Sequence, residues 1–191
     1  MTNTKMFSQT FSTALNEIIA EAVPTTTPAL QLVVRWRGEL LVDQVAGWLD
    51  PETKTRPVRR DTQFDMASVT KLFATTAFMH FCEAGLLSLH QPVAEILPEF
   101  SGRRPIRPYE NPLQSNDFVT VSEQTGEIDA GKITFYDLLT HQSGLPAWRP
   151  LFRQADREEA RRMALQTFFS YPTGTRIVYS DIGLILLGMA M

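Results

Sequence analysis

Residues 64–82 read FDMASVTKLFATTAFMHFC. From Met66 to Cys82 the one formal charge is Lys71, in a run otherwise apolar or small. An ionised lysine seldom stands alone in such company, because desolvating an unpaired ammonium is costly. The chain also uses lysine sparingly: of 18 basic residues only Lys5, Lys54, Lys71 and Lys132 are lysines. Three residues before Lys71 stands Ser68. The pattern predicts a helix from about Ser68 to Glu83, ended by Gly85 and apolar nearly all round, hence buried. On one helix, residues i and i+3 share a face, with Cβ atoms about 5–6 Å apart.

That spacing brings a hydroxyl and an amine within hydrogen-bonding reach. A serine hydroxyl is a poor nucleophile until a base takes its proton. Lysine is such a base only when desolvation or a nearby positive charge lowers its pKa. A buried helix supplies the desolvation, and its N-terminus a partial positive charge near Ser68. The competing reading is a structural lysine paired with a carboxylate elsewhere in the chain. Ten serines give one S-x-x-K match, and it falls in this apolar helix.

A second constellation is Tyr179-Ser180-Asp181, in YPTGTRIVYSDIGLILLG (residues 171–188). A phenol at the mouth of a buried helix can relay protons among the nucleophile, Lys71 and a leaving group. A half-buried packing tyrosine is the plainer role for Tyr179. Asp181 is expected either to cap the helix or to accept a hydrogen bond from substrate. His80 and His90 read as ordinary helix and loop residues, and Cys82 as a packed core thiol.

Composition narrows the field. At 191 residues, 43% hydrophobic and 20% charged, the chain is long enough for one sizeable core. A net charge of −3 offers no basic field for nucleic acid. A single cysteine excludes an internal disulfide and a cysteine zinc cluster. The N-terminus alternates polar and apolar residues without a leader-like apolar core, so a cytoplasmic location is expected. The longest apolar run, residues 182–191, is too short to span a bilayer.

Along the chain, residues 7–22 predict an amphipathic helix. Residues 30–48 predict a β-hairpin turning at Arg37-Gly38-Glu39. Residues 101–131, rich in proline and polar residues, read as a long loop with one short strand at DFVTV (117–121). Residues 133–146, ITFYDLLTHQSGLP, open a helix with Thr134 as N-cap and Asp137 in its first turn. Residues 153–169 predict a solvated helix. The final ten residues begin another buried helix that needs partners to cover it. Isolated hairpins are rarely stable, and no convincing further strands follow. The chain therefore reads as C-terminally truncated.

Three blocks, FDMASVTKLFATTAFMHFCEAGLLSLHQPVAEILPEF, GKITFYDLLTHQSGLP and PTGTRIVYSDIGLILLG, resemble in order and spacing the serine β-lactamase/penicillin-binding-protein superfamily. The likeness is greatest to its class C and esterase-like branch and runs from about residue 30 to the end. It implies an α+β fold, in which an α/β sheet domain joins a helical domain and the later sheet strands are missing. Residues 1–60 would give the sheet domain's first helix and hairpin, 61–181 the helical part, and 182–191 the start of a cut-off helix.

The resemblance also implies a covalent acyl-serine route on an ester, amide or lactam carbonyl. Ser68 would be the nucleophile, Lys71 its base, Tyr179 a proton-transfer partner, and the Ser68 N–H half of an oxyanion hole. Asp181 stands where the family usually has asparagine. Because an ionised aspartate only accepts hydrogen bonds, that difference favours esterase- or peptidase-like action over lactam hydrolysis. His141 lies in a block the family uses structurally. The family's third motif, Lys- or His-x-Gly, is missing. No metal or organic cofactor is implied, and the expected partner is a small-molecule or peptide substrate. The alternative is a non-catalytic, truncated or repurposed member that binds a ligand or partner.

Overall fold

The computed structural model describes residues 9–191. The chain divides after Asp65 into two compact units.

In the first unit, helix α1 (Gln9–Thr25) is interrupted at Val23, whose extended backbone precedes Pro24, as steric clash with a following proline demands. The expected start at residue 7 lies outside the described residues. Strands β1 (Ala29–Trp36) and β2 (Glu39–Gly47) pair antiparallel, with Val34 opposite Val42 and Trp36 opposite Glu39. Their turn is therefore the two residues Arg37 and Gly38, with φ of 48° and 84°. Two successive left-handed residues match the right-handed twist of the strands they join. Glu39 belongs to β2 rather than to the turn.

The second unit holds the larger core. Helix α2 (Thr70–Glu83) follows a 3₁₀ turn at Ala67–Val69. Short strands β3 (Arg103–Pro105), β4 (Tyr109–Glu110), β5 (Phe118–Val119) and β6 (Glu127–Asp129) come next. Helices α3 (Phe135–Leu139), α4 (Arg157–Leu165) and α5 (Asp181–Met189) complete it. Phe78 from α2, Phe135 and Leu138 from α3, Leu165 from α4, and Leu186 and Leu187 from α5 meet in one cluster with Phe100 and Phe169. The rings of Phe78 and Phe135 stand 4.8 Å apart at 47°.

Two expectations are corrected here. Helix α2 is not buried: Phe78 is its one fully buried residue, while Leu72 and Phe73 are 67% and 63% exposed. An apolar helix surface demands cover, but its composition does not say which element provides it. The segment 101–131 is not one loop with one strand. It folds as two nested antiparallel ladders, β3 with β6 outside and β4 with β5 inside. Strands of two or three residues interrupted by Pro105 and Pro108 are too short to show an alternating pattern. Buried Arg104 secures the outer ladder by donating to the carbonyls of Thr167, Glu99 and Ser101. Arg149 fastens the inner one, gripping the Glu110 carboxylate at 3.1 and 3.2 Å.

The helix opened by Thr134 forms with the predicted cap. Thr134 Oγ1 accepts the Asp137 N–H while the Asp137 carboxylate accepts the Thr134 N–H, a reciprocal capping box. Among the described residues no helix is long and apolar enough to cross a membrane.

Candidate active site

Ser68 sits in the 3₁₀ turn that feeds α2, one residue after Ala67, whose φ of 43° lies in the left-handed region. Such a conformation costs a non-glycine residue about 1–3 kcal/mol and persists where the surroundings enforce it. One helical turn on, Lys71 Nζ donates to Ser68 Oγ at 3.1 Å. The i, i+3 spacing does what the sequence implies.

Lys71 also has the carboxylate partner that the competing reading requires. Its Nζ lies 2.7 Å from Asp181 Oδ1, a close ion pair. The ammonium stands 4.8 Å from the centre of the Tyr179 ring. Burial pulls the Lys71 pKa down, but Asp181 and Tyr179 outweigh it, and the amine is held above its ordinary value. Desolvation was expected to dominate. The carboxylate 110 positions further along the chain reverses the sign.

Tyr179 is displaced the other way. Hydrogen bonding with Ser68, then with Lys71, and the lysine's charge hold its phenol below the usual range. Ammonium and phenol thus move apart, the one retaining its proton and the other releasing it more readily. Such divergence within one cluster marks a candidate for proton transfer.

The cap proposed for Asp181 is supplied by its neighbour. Ser180 Oγ accepts the Gly183 N–H at 3.2 Å and donates to the Pro146 carbonyl at 2.7 Å. With the cap filled, the Asp181 carboxylate is turned to Lys71, while its N–H donates to Ala147 O at 2.7 Å. Ser68, Lys71 and Asp181 line a cavity of about 430 Å³, together with Ala67, Thr70, Ala74, Leu184 and Ile185. That volume suits a small organic ligand. One wall is polar, with Ser68, Lys71 and Asp181, and the other aliphatic, with Leu184 and Ile185.

His141 was expected to be structural, and its surroundings are specific. Its Nδ1 accepts the Ser180 N–H at 3.1 Å, and its ring lies 4.8 Å from that of Tyr179. Desolvation, then the charge of Lys71, lower its pKa against the opposing pull of Asp181. The His80 ring lies 3.5 Å from the Glu83 carboxylate on the exposed face of α2. Sequence reasoning missed the Lys71–Asp181 pair and the Ser180 cap. A serine immediately before an apolar run was the available signal for the second. Among the described residues no group of three His, Cys, Asp or Glu side chains could hold a metal ion.

A family model described as Beta-lactamase matches residues 15–191. The chain belongs to the Beta-lactamase family. Its relatives include an N-acetylmuramyl-L-alanine amidase of Bacillus subtilis, 28% identical over 97% of this chain and 41% of that protein. Esterase EstB of Burkholderia gladioli is 35% identical over 63% of this chain and 25% of its own length. Among solved structures, a class C β-lactamase superposes with a TM-score of 0.68 at 23% identity, covering 94% of this chain and 42% of that one. A β-lactamase/D-alanine carboxypeptidase from Pseudomonas syringae gives 0.64 at 22% identity, with 94% and 42% coverage. This family member has the β-lactamase/transpeptidase-like fold of mixed helices and small sheets. It spans about two-fifths of the length of those structures and of the amidase, and one-quarter of the esterase.

Proposed function

We propose that this family member acts as a serine hydrolase on an ester or amide carbonyl through an acyl-Ser68 intermediate. The observation that carries the proposal is the convergence on Ser68 Oγ. Lys71 Nζ lies 3.1 Å away and stands 4.8 Å from the centre of the Tyr179 ring, so hydroxyl, ammonium and phenol gather at one place. Ser68 Oγ attacks the carbonyl carbon as its proton passes to the Tyr179 oxygen, which acts as the phenolate. Lys71, kept charged by Asp181, stabilises the developing negative charge. Tyr179 then returns the proton to the departing alkoxide or amine. The Tyr179 phenolate left behind then takes a proton from water as the water attacks the acyl carbon, and returns that proton to Ser68 Oγ as the acyl–oxygen bond breaks and the acid departs. Lys71 in this scheme is an electrostatic partner rather than the base, because its partners raise its pKa.

Asp181 bears on the substrate class. A carboxylate accepts but does not donate hydrogen bonds, so it suits a hydroxyl, amine or amide N–H on the substrate better than a carbonyl oxygen. That leans toward esterase- or peptidase-like chemistry, in keeping with an esterase and an amidase among the relatives.

A non-catalytic role has one observation in its favour: the exposed apolar residues Leu72 and Phe73 on the helix that bears Lys71, a surface suited to a partner. Covalent labelling separates the two. Treating the protein with an activated aryl ester, a lactam and a fluorophosphonate should give a mass adduct on Ser68. The adduct should vanish in Ser68→Ala and form at least 100-fold more slowly in Lys71→Ala, a loss in the range of removing one charge-stabilising donor. No adduct with any of the three reagents would overturn the hydrolase reading.

A further inference from the structure

Helix α3 ends in a hydrogen-bonded C-terminal motif. His141 N–H donates to Leu138 O at 3.2 Å, and Gln142 N–H to Asp137 O at 2.9 Å. In that motif the residue one beyond the C-cap adopts a left-handed conformation and is usually glycine, sometimes asparagine. Here it is His141, with φ of 57°. A side chain at this angle is disfavoured relative to glycine. The cost invites the question of what the imidazole does.

Its contacts answer. The His141 carbonyl accepts the Val178 N–H at 2.9 Å and the Tyr171 hydroxyl at 3.0 Å. Its Nδ1 accepts the Ser180 N–H at 3.1 Å. One residue therefore grips the backbone on both sides of Tyr179, and its ring faces the phenol ring at 4.8 Å and 43°. Tyr179 is itself half-exposed, so little other packing holds its side chain. We propose that His141 is a positioning residue that clasps the 178–180 segment and aims the Tyr179 phenol at Ser68 and Lys71.

The clasp works only while Nδ1 lacks a proton, since a protonated Nδ1 cannot accept from Ser180. The proton therefore belongs on Nε2 of a neutral ring. The charged and titratable groups around this ring are Lys71 from α2, Tyr179 and Tyr171 from the adjoining loop, and Asp181 from α5. Burial, and then the charge of Lys71, favour the neutral imidazole. Asp181 opposes them. On acidification His141 gains a proton, releases Ser180 and loosens Tyr179.

This inference rests on Tyr179 acting at Ser68, and two variants with two readouts separate it from that reading. His141→Gly suits the left-handed position but lacks the acceptor. His141→Asn tolerates the angle and offers a side-chain oxygen in place of Nδ1. The first readout is NMR titration of tyrosines labelled at Cζ, with Tyr179 assigned from Tyr179→Phe. The second is the rate of Ser68 labelling by a fluorophosphonate between pH 5 and 8.

In His141→Gly the Tyr179 titration should return toward the ordinary phenol value near 10. Labelling should slow on the order of 10- to 100-fold, the cost of misplacing a reacting group. His141→Asn should recover most of both and abolish the acid-side loss seen in the parent. An unchanged Tyr179 titration in His141→Gly overturns the clasp. If no variant is labelled, the hydrolase reading fails, and the tyrosine titration still decides the clasp.

Discussion

Helices α2 and α5 look alike in sequence and behave oppositely in the fold. Both are strongly apolar, and each contributes one member of the Lys71–Asp181 pair. Yet α5 buries five of its nine residues, whereas α2 buries only Phe78 of fourteen. Ile182, Leu184, Leu186 and Leu187 of α5 enter the core cluster with Phe135 and Leu138 of α3 and Leu165 of α4, so α5 is seated against two other helices. The charged pair thus joins an anchored helix to one whose outer face is open. Asp181 is fixed by the Ser180 cap, and Lys71 is drawn to it.

Mutating the two helices tests that contrast most strongly. Leu186→Ala empties a fully buried site and should cost about 2–5 kcal/mol of unfolding free energy. Leu72→Ala, at a largely exposed site, should stay within about 0.5 kcal/mol. Urea unfolding of both variants gives the comparison. Equal losses would mean that the outer face of α2 is covered in solution.

A smaller effect sharpens the account of α5. Ser180 and Ser170 are both buried, but Ser180 Oγ makes two hydrogen bonds and Ser170 Oγ has no partner among the described residues. Ser180→Ala should cost about 1–2 kcal/mol through the lost cap and the orphaned Pro146 carbonyl. Ser170→Ala should be neutral or slightly stabilising, because it removes a hydroxyl desolvated without return. A thermal melt distinguishes them. A costly Ser170→Ala would reveal a partner for that hydroxyl.

What could be read from the sequence divides along physical lines. Local rules carried the hairpin, the Thr134–Asp137 capping box and the Ser68–Lys71 contact, because each depends on residues within a few positions. The family resemblance carried the fold. What failed was non-local. Helix composition signalled that α2 needs cover but could not report that Leu72 and Phe73 lack it. The partner of Lys71 comes from a distant helix, and it inverts the pKa shift that burial alone would give. His141 was hidden for a different reason. The role proposed for it depends on a left-handed backbone angle, and a histidine there carries no periodic signature.

The Lys71–Asp181 pair offers the smallest and most discriminating test. Lys71 has a folded-state pKa above its unfolded value, so its contribution to stability is complete below the unfolded pKa near 10.4. It is lost as the pH rises through the folded value. Tyr179 carries the opposite sign: its pKa is lowered on folding, so its ionisation favours the fold as the pH rises, and the two partly cancel. The pair should therefore be followed in a Tyr179→Phe background, comparing Asp181 with Asp181→Asn by urea unfolding at pH 8 and near 10.5. With Asp181 present, stability should fall across that interval. With asparagine, desolvation becomes the larger influence on Lys71, and the fall should shrink or reverse. Because Lys71 remains partly open to solvent, the difference should be small, in the range of about 0–1 kcal/mol found for exposed pairs. Identical pH dependence in both proteins would mean that the carboxylate does not hold the ammonium. Lys71, with burial then the larger influence on its amine, would become the candidate base for Ser68, which stands three residues before it in the turn that feeds α2.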